Sequence, residues 1–219
     1  SPTSERAEMT RKTKTYRCQL GRAAASLMIA TMTLSLAVGA GRVHAGTNTS
    51  PAAIASDADA ALGALATWQR TGTAADKAKF DTARDAVAAR VAADVESSAE
   101  RLRTAWAQVA VVNQQVMLAA LTQLGVPYRS LASEEGVGFD CSGLMLYAFR
   151  EAGIELPRIS GDQIDAATAV DAAVAEPGDF VFYPGHISLY IGDGLMVHSP
   201  NSGNVVEVRV RPRTRRLPI

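Results

Sequence analysis

The sequence predicts an α+β fold, helices first and antiparallel strands after. Three observations carry that expectation. Residues 46–112 contain no strand-like run, and their apolar residues recur at helical spacing. Beyond residue 176 come four short strand candidates, most of them separated by Gly, Pro or Asn. The composition, 47% hydrophobic and 20% charged over 219 residues, is that of a folded chain with a real core and one or two domains.

The helical part starts at Ser50-Pro51, an N-cap followed by Pro at the first helical position. Ile54, Ala58, Ala61, Leu65 and Trp68 share one face. Thr71-Gly72-Thr73 interrupts, and Thr73 with Asp76 forms a variant capping box. Phe80, Ala83, Val87, Val91, Val95, Ala99, Leu102, Trp106 and Val109 then recur at an average step of about 3.6. This predicts a second helix running to Val109, and so an α-helical hairpin over residues 46–112. Such a hairpin serves as a packed brace, as a partner-docking surface through residues 51–112, or as a cover over an active site.

From residue 113 the pattern changes. Val116, Met117, Ala120, Leu121 and Leu124 form a helical stripe that stops at Gly125 and Pro127. A turn-rich stretch, Leu131 to Gly138, leads to Phe139-Asp140-Cys141-Ser142-Gly143, and Leu144 to Ala152 reads as helix closed by Gly153. Ser160-Gly161-Asp162-Gln163 reads as another capping box. The strand candidates are Phe180–Tyr183, His186–Ile191, Leu195–His198 and Val205–Val210. In the last of these, Val206, Val208 and Val210 alternate with Glu207, Arg209 and Arg211, as an exposed edge strand would.

A zero net charge hides a split. Residues 1–45 carry seven basic and two acidic side chains, and the remainder carries 15 and 20, which excludes a strongly basic nucleic-acid binder for the main body. Residues 1–45 read as a secretory signal peptide: a basic stretch from Arg11, an apolar run from Ala23 to Val38, and a small-residue site at Val43-His44-Ala45. Met9 can be the true start, with residues 1–8 upstream of it. The alternative is a retained anchor, because Arg22 and Arg42 bracket 19 uncharged residues. Cleavage after Ala45 predicts a secreted or wall-associated protein with no stable membrane insertion. It would leave Cys141 as the only cysteine and His186 and His198 as the only histidines.

Cys141 sits at a loop–helix boundary, where free amides and the helix dipole favour an anion, and this predicts a lowered thiol pKa. His186 opens a strand on which His186, Ser188 and Tyr190 face one way and Ile187, Leu189 and Ile191 the other, so the imidazole lies on the polar face. His198 ends Leu195-Met196-Val197-His198, from where it can hydrogen-bond the far nitrogen of His186 and fix its tautomer.

Gly136-Val-Gly-Phe-Asp-Cys-Ser-Gly-Leu, Leu156-Pro157-Arg158-Ile159-Ser160, Glu176-Pro177-Gly178-Asp179-Phe180-Val181-Phe182 and His186-Ile-Ser-Leu-Tyr-Ile-Gly192, in that order, resemble the NlpC/P60 cysteine peptidases. The resemblance covers roughly residues 113–212. It implies a papain-like fold for a catalytic domain at 113–219, with a helix-borne cysteine against an antiparallel sheet, and hydrolysis of peptidoglycan stem peptides. The bond implied is that between D-glutamate, or its amide, and the diamino acid. Cys141 matches the nucleophile, His186 the base and His198 the third polar residue; a thioacyl-enzyme intermediate follows, and no cofactor is needed. Tyr128, Asp140 and Ser142 match residues lining the substrate side of the cleft. Where many members continue after Pro127-Tyr128 with an aromatic residue and two glycines, this chain has Arg129-Ser130-Leu131-Ala132-Ser133.

Two other readings use the same residues. Cys141, His186 and His198 can supply three zinc ligands, although separations of 45 and 12 match no short zinc pattern. A non-catalytic wall-binding module can recruit a partner through the helical hairpin, with Arg209, Arg211, Arg213, Arg215 and Arg216 toward anionic wall polymers.

Overall fold

The computed structural model describes residues 13–18 and 50–211. Ser50 caps helix α1 (Pro51–Thr71): its Oγ accepts from the Ala53 amide at 3.3 Å, and Gly72, at φ +66°, ends the helix. Thr73 caps α2 (Ala74–Asp94) by accepting from the Asp76 amide, while the Asp76 carboxylate accepts from the Thr73 and Thr71 hydroxyls.

The expected single second helix is two. The chain breaks after Asp94, Glu96 enters the left-handed region at φ 52°, and α3 (Ala99–Gln108) starts from a Ser98 N-cap. The apolar stripe continues across the break, with Leu102 and Trp106 fully buried like Val87 and Val91 before it. The end of α2 closes locally, with the Ser97 amide donating to the Ala92 carbonyl at 2.8 Å, and a tertiary contact pins the start of α3: Asp193 accepts from the Ser97 hydroxyl, the Ser98 amide and Arg101.

Helix α4 (Val111–Thr122) follows almost at once and is buried on most sides. The domain boundary expected at residues 112/113 falls in its first turn. A small hairpin, β2 (Ser133–Glu134) with β3 (Gly138–Phe139), lies in the turn-rich stretch, ahead of α5 (Cys141–Glu151) and the short α6 (Ser160–Asp165). Ser160 does not cap α6: Ile159 holds the N-cap position without a side-chain bond. The Gln163 of that expected box turns inward and donates to the carbonyls of Ser142 and Pro157.

The main sheet is antiparallel, in the order β4 (Ala167–Val170), β1 (Lys14–Cys18), β5 (Phe180–Tyr183), β6 (His186–Gly192), β7 (Leu195–His198) and β8 (Glu207–Val210). β5, β6 and β7 match their predicted positions, and β8 is the edge strand expected at Val205–Val210, beginning two residues later. β4 (Ala167–Val170) and β1 (Lys14–Cys18) lack a clear sequence signal. β1 comes from the basic stretch of the expected signal peptide, and its Arg17 forks onto the buried Asp179 at 2.9 and 3.0 Å. The apolar run, the Val43-His44-Ala45 site and Arg213, Arg215 and Arg216 lie outside the described residues.

One core runs from the helices into the sheet. Phe149 of α5 meets Phe180 of β5 at a ring distance of 5.0 Å, and Trp106 of α3 donates from Nε1 to the Ile191 carbonyl of β6 at 2.5 Å. Buried Arg84 of α2 donates to Gln114 of α4 at 3.1 Å. The helical hairpin is therefore built into the same core as the sheet. Among the described residues no helix is long and apolar enough to cross a membrane.

Trp106→Phe keeps most of the packing but leaves the Ile191 carbonyl unpaired in the core. It should lower stability by about 1–3 kcal/mol, read as a lower urea midpoint at unchanged slope.

Candidate active site

Asp140 is the N-cap of α5, so Cys141 is the first residue of the helix. The Asp140 carboxylate is fully engaged. Oδ1 accepts from the Gly143 amide (2.7 Å), the Ser142 hydroxyl (3.3 Å) and Arg158 (3.0 Å); Oδ2 accepts from the Leu131 amide (2.9 Å) and Arg158 (2.7 Å). Arg158 also donates to the Ser142 hydroxyl and the Ala132 carbonyl. Expected at the substrate face, Asp140 and Ser142 are buried members of this clamp. Arg158, quoted above only as part of a motif, holds it together. Gly143 is required here because a Cβ would lie 2.0 Å from the Ala132 carbonyl oxygen.

The clamp also shapes the loop in which this chain departs from the family pattern. Leu131, held through its amide by Asp140, has φ 61° and is 86% exposed. A glycine would hold this positive φ without the Cβ strain that leucine bears. Tyr128 is half-buried beside this loop, and its phenol is pushed up by burial and by the nearby Asp140 and Cys141 charges.

Across the cleft, His186 starts β6 and His198 ends β7. His186 Nε2 lies 2.8 Å from His198 Nδ1, with the rings nearly perpendicular. The pair is buried rather than displayed, because Tyr183 packs on His186 at 4.9 Å. The Cys141 thiol meets the backbone amide of Ile187, the residue next to His186. Thus the structure brings Cys141, His186 and His198 to one end of the sheet, with Tyr128, Asp140 and Ser142 alongside.

The electrostatics overturn one expectation. Burial pushes the Cys141 thiol up, outweighing the hydrogen bonds from the Ile187, Ser142 and Cys141 amides that favour the thiolate. Burial, then the neighbouring His198, drives His186 down to about 3; burial, then Arg209, drives His198 down to about 4. The resting site therefore holds a neutral thiol beside neutral imidazoles. Among the described residues no three His, Cys, Asp or Glu side chains are placed to share a metal ion.

Glu207 escaped the sequence reading. It stands opposite His198 in the β7–β8 register, with Oε1 3.4 Å from His198 Nε2 and 2.5 Å from Arg209 Nε. Its strand alternation looked like that of any solvated edge, and no sequence signal separates it from one.

The NlpC/P60 family profile matches residues 125–214. The solved structure of RipD from Mycobacterium tuberculosis, described as a non-catalytic NlpC/p60 domain protein adapted to peptidoglycan binding, is 33% identical over 47% of this chain and 89% of that one, at a TM-score of 0.41. The chain belongs to the NlpC/P60 family. It is 41% identical to the peptidoglycan endopeptidase RipB of M. tuberculosis, over 53% of each chain. A probable endopeptidase of the same organism is 47% identical over 48% of this chain and 27% of its own length. The chain thus spans about a quarter to a half of the curated relatives it matches.

Two outcomes follow from the site's geometry. Leu131→Gly should relieve the left-handed strain at no cost in burial and raise stability by about 0.5–1 kcal/mol, measured by thermal melting. The folded-state values of His186 and His198 lie below the ordinary 6.5, so the unfolded chain binds more protons as pH falls from 6.5 toward 4. Stability contributed by the neutral pair is full above that window and is lost through it. Between pH 6.5 and 4.5 the melting temperature of the intact chain should therefore fall more steeply than that of His198→Gln.

Proposed function

We propose that this NlpC/P60 protein is an exported cysteine peptidase that cuts peptidoglycan stem peptides between D-glutamate, or its amide, and the diamino acid. The observation that carries this reading is a helix-start thiol that meets the Ile187 amide, next in the chain to a buried His186 that is hydrogen-bonded to His198. The peptidoglycan endopeptidase relatives support the substrate class. Since Nε2 of His186 is occupied by His198, its Nδ1 is the nitrogen available to the thiol. His186 takes the Cys141 proton, and the thiolate attacks the scissile carbonyl. Amides at the start of α5 face the developing oxyanion. His186 then passes the proton to the leaving amine, and water released onto the thioester with its help frees the acyl product and the thiol. A buried neutral pair suits this proton transfer at the moment of attack better than a standing ion pair. Tyr128 and the Leu131 loop form the wall of the cleft and set preference among stem peptides.

On this reading residues 1–45 direct export and are removed, which takes β1 from between β4 and β5 and Arg17 from Asp179 in the mature protein, and the helices at 51–108 brace the sheet. A second reading, wall binding without turnover, is favoured by the likeness to RipD. This chain's retention of Cys141, His186 and His198 speaks for catalysis.

Digestion of muropeptides of defined cross-linking and amidation, followed by mass spectrometry, tests the proposal. The protein should release products of one stem-peptide bond, and Cys141→Ala should lower the rate at least about 10³-fold while remaining folded. Wall binding retained by Cys141→Ala, with no products from the unaltered chain, would instead establish the binding module.

A further inference from the structure

We propose that Glu207 is a positioning residue that fixes the proton arrangement of the histidine pair. This deepens the peptidase reading and rests on it for the direction of proton transfer. A neutral imidazole has one donor and one acceptor nitrogen. One proton therefore lies between His186 Nε2 and His198 Nδ1, 2.8 Å apart, and two arrangements are open. If His186 owns that proton, its Nδ1 is bare and can act as a base, and His198 carries its own proton on Nε2. If His198 owns it, His186 is protonated on Nδ1 and cannot accept from a thiol, and His198 Nε2 is bare.

The group facing His198 Nε2 decides between them. That nitrogen and Glu207 Oε1, 3.4 Å away, are both buried, and neither makes a hydrogen bond within the described residues, so each is the polar partner the other lacks. A carboxylate is an acceptor only, so a bare Nε2 would set two acceptors against each other in a poorly solvated place. A protonated Nε2 turns the same approach into a charge-assisted attraction. Arg209 Nε, 2.5 Å from the same oxygen, holds the carboxylate in place across the strand end. The β7–β8 register sets His198 directly opposite Glu207, so the contact is built into the sheet. The order is then Cys141 to His186 Nδ1, His186 Nε2–H to His198 Nδ1, and His198 Nε2–H to Glu207.

The test uses the full chain labelled with nitrogen-15. With only three histidines, His44, His186 and His198, long-range proton–nitrogen spectra at neutral pH can assign each tautomer. Both His186 and His198 should carry their proton on Nε2. Glu207→Leu should move His198 toward the Nδ1–H form and slow iodoacetamide alkylation of Cys141 by roughly 10- to 100-fold, scored by peptide mass so that Cys18 is counted separately. Glu207→Gln, whose amide oxygen accepts the same hydrogen, should restore the unaltered tautomers and a near-normal rate. An Nδ1–H His198 in the unaltered protein overturns the proposal whether or not the Leu variant folds. An unchanged tautomer or alkylation rate in a folded Glu207→Leu also overturns it. Neither readout needs substrate, so an absence of peptide cleavage would sink the peptidase reading while leaving this one to be judged on its own.

Discussion

A carboxylate buried ahead of a helix must be paired, or it costs several kcal/mol, and the way Asp140 is paired organises everything around Cys141. Its two oxygens satisfy the first turn of α5, hold the Leu131 amide and receive the fork of Arg158, so helix start, cleft loop and the Leu156–Ser160 segment are tied at one point. Gly143 belongs to the same constraint, because only a residue without Cβ lets the Ala132 carbonyl approach the helix. The thiol inherits its position from this knot. Substitutions at Asp140 or Arg158 would loosen the floor of the cleft rather than remove one contact from it.

Opposite the knot, the histidines are placed by strands whose other contacts lie far from the chemistry. β6 begins at His186 and ends near Asp193, which is gripped by Arg101 of α3 and by Ser97 and Ser98 just ahead of it, while Trp106 holds the Ile191 carbonyl. The helices before residue 110 thereby take part in locating His186. Burial does the rest: it keeps thiol and imidazoles uncharged, and the helix terminus does not overcome it.

Much of this was readable in the residues. Period-two patterns separated by glycines located β5, β6 and β7 almost to the residue, and Asp-Cys-Ser-Gly placed Cys141 at a helix start. What was not readable depended on tertiary partners. The stripe from Phe80 to Val109 runs unbroken through residues 95–98, and Asp193, which holds the residues after the break, is nearly a hundred positions away. The direction of the Cys141 shift was misjudged because a helix terminus is visible in sequence and the depth of burial is not. β1 and β4 are short, and they are strands because of the neighbours they pair with. Glu207 looked like one more charge on an edge because only the register reveals what stands across from it.

That register has a consequence for how the protein would fail. Among the described residues β8 is the last strand of the sheet, bonded on one side to β7 and on the other to no strand, and Val210 at its end is 63% exposed. Edge strands open by local fluctuation at a much lower free energy than a core such as that around Trp106 and Phe149 requires. Each opening of β8 carries Glu207 away from His198 while Cys141 and His186 stay where they are. On mild heating or in dilute denaturant, the histidine array would lose its outermost anchor in molecules that are otherwise fully native.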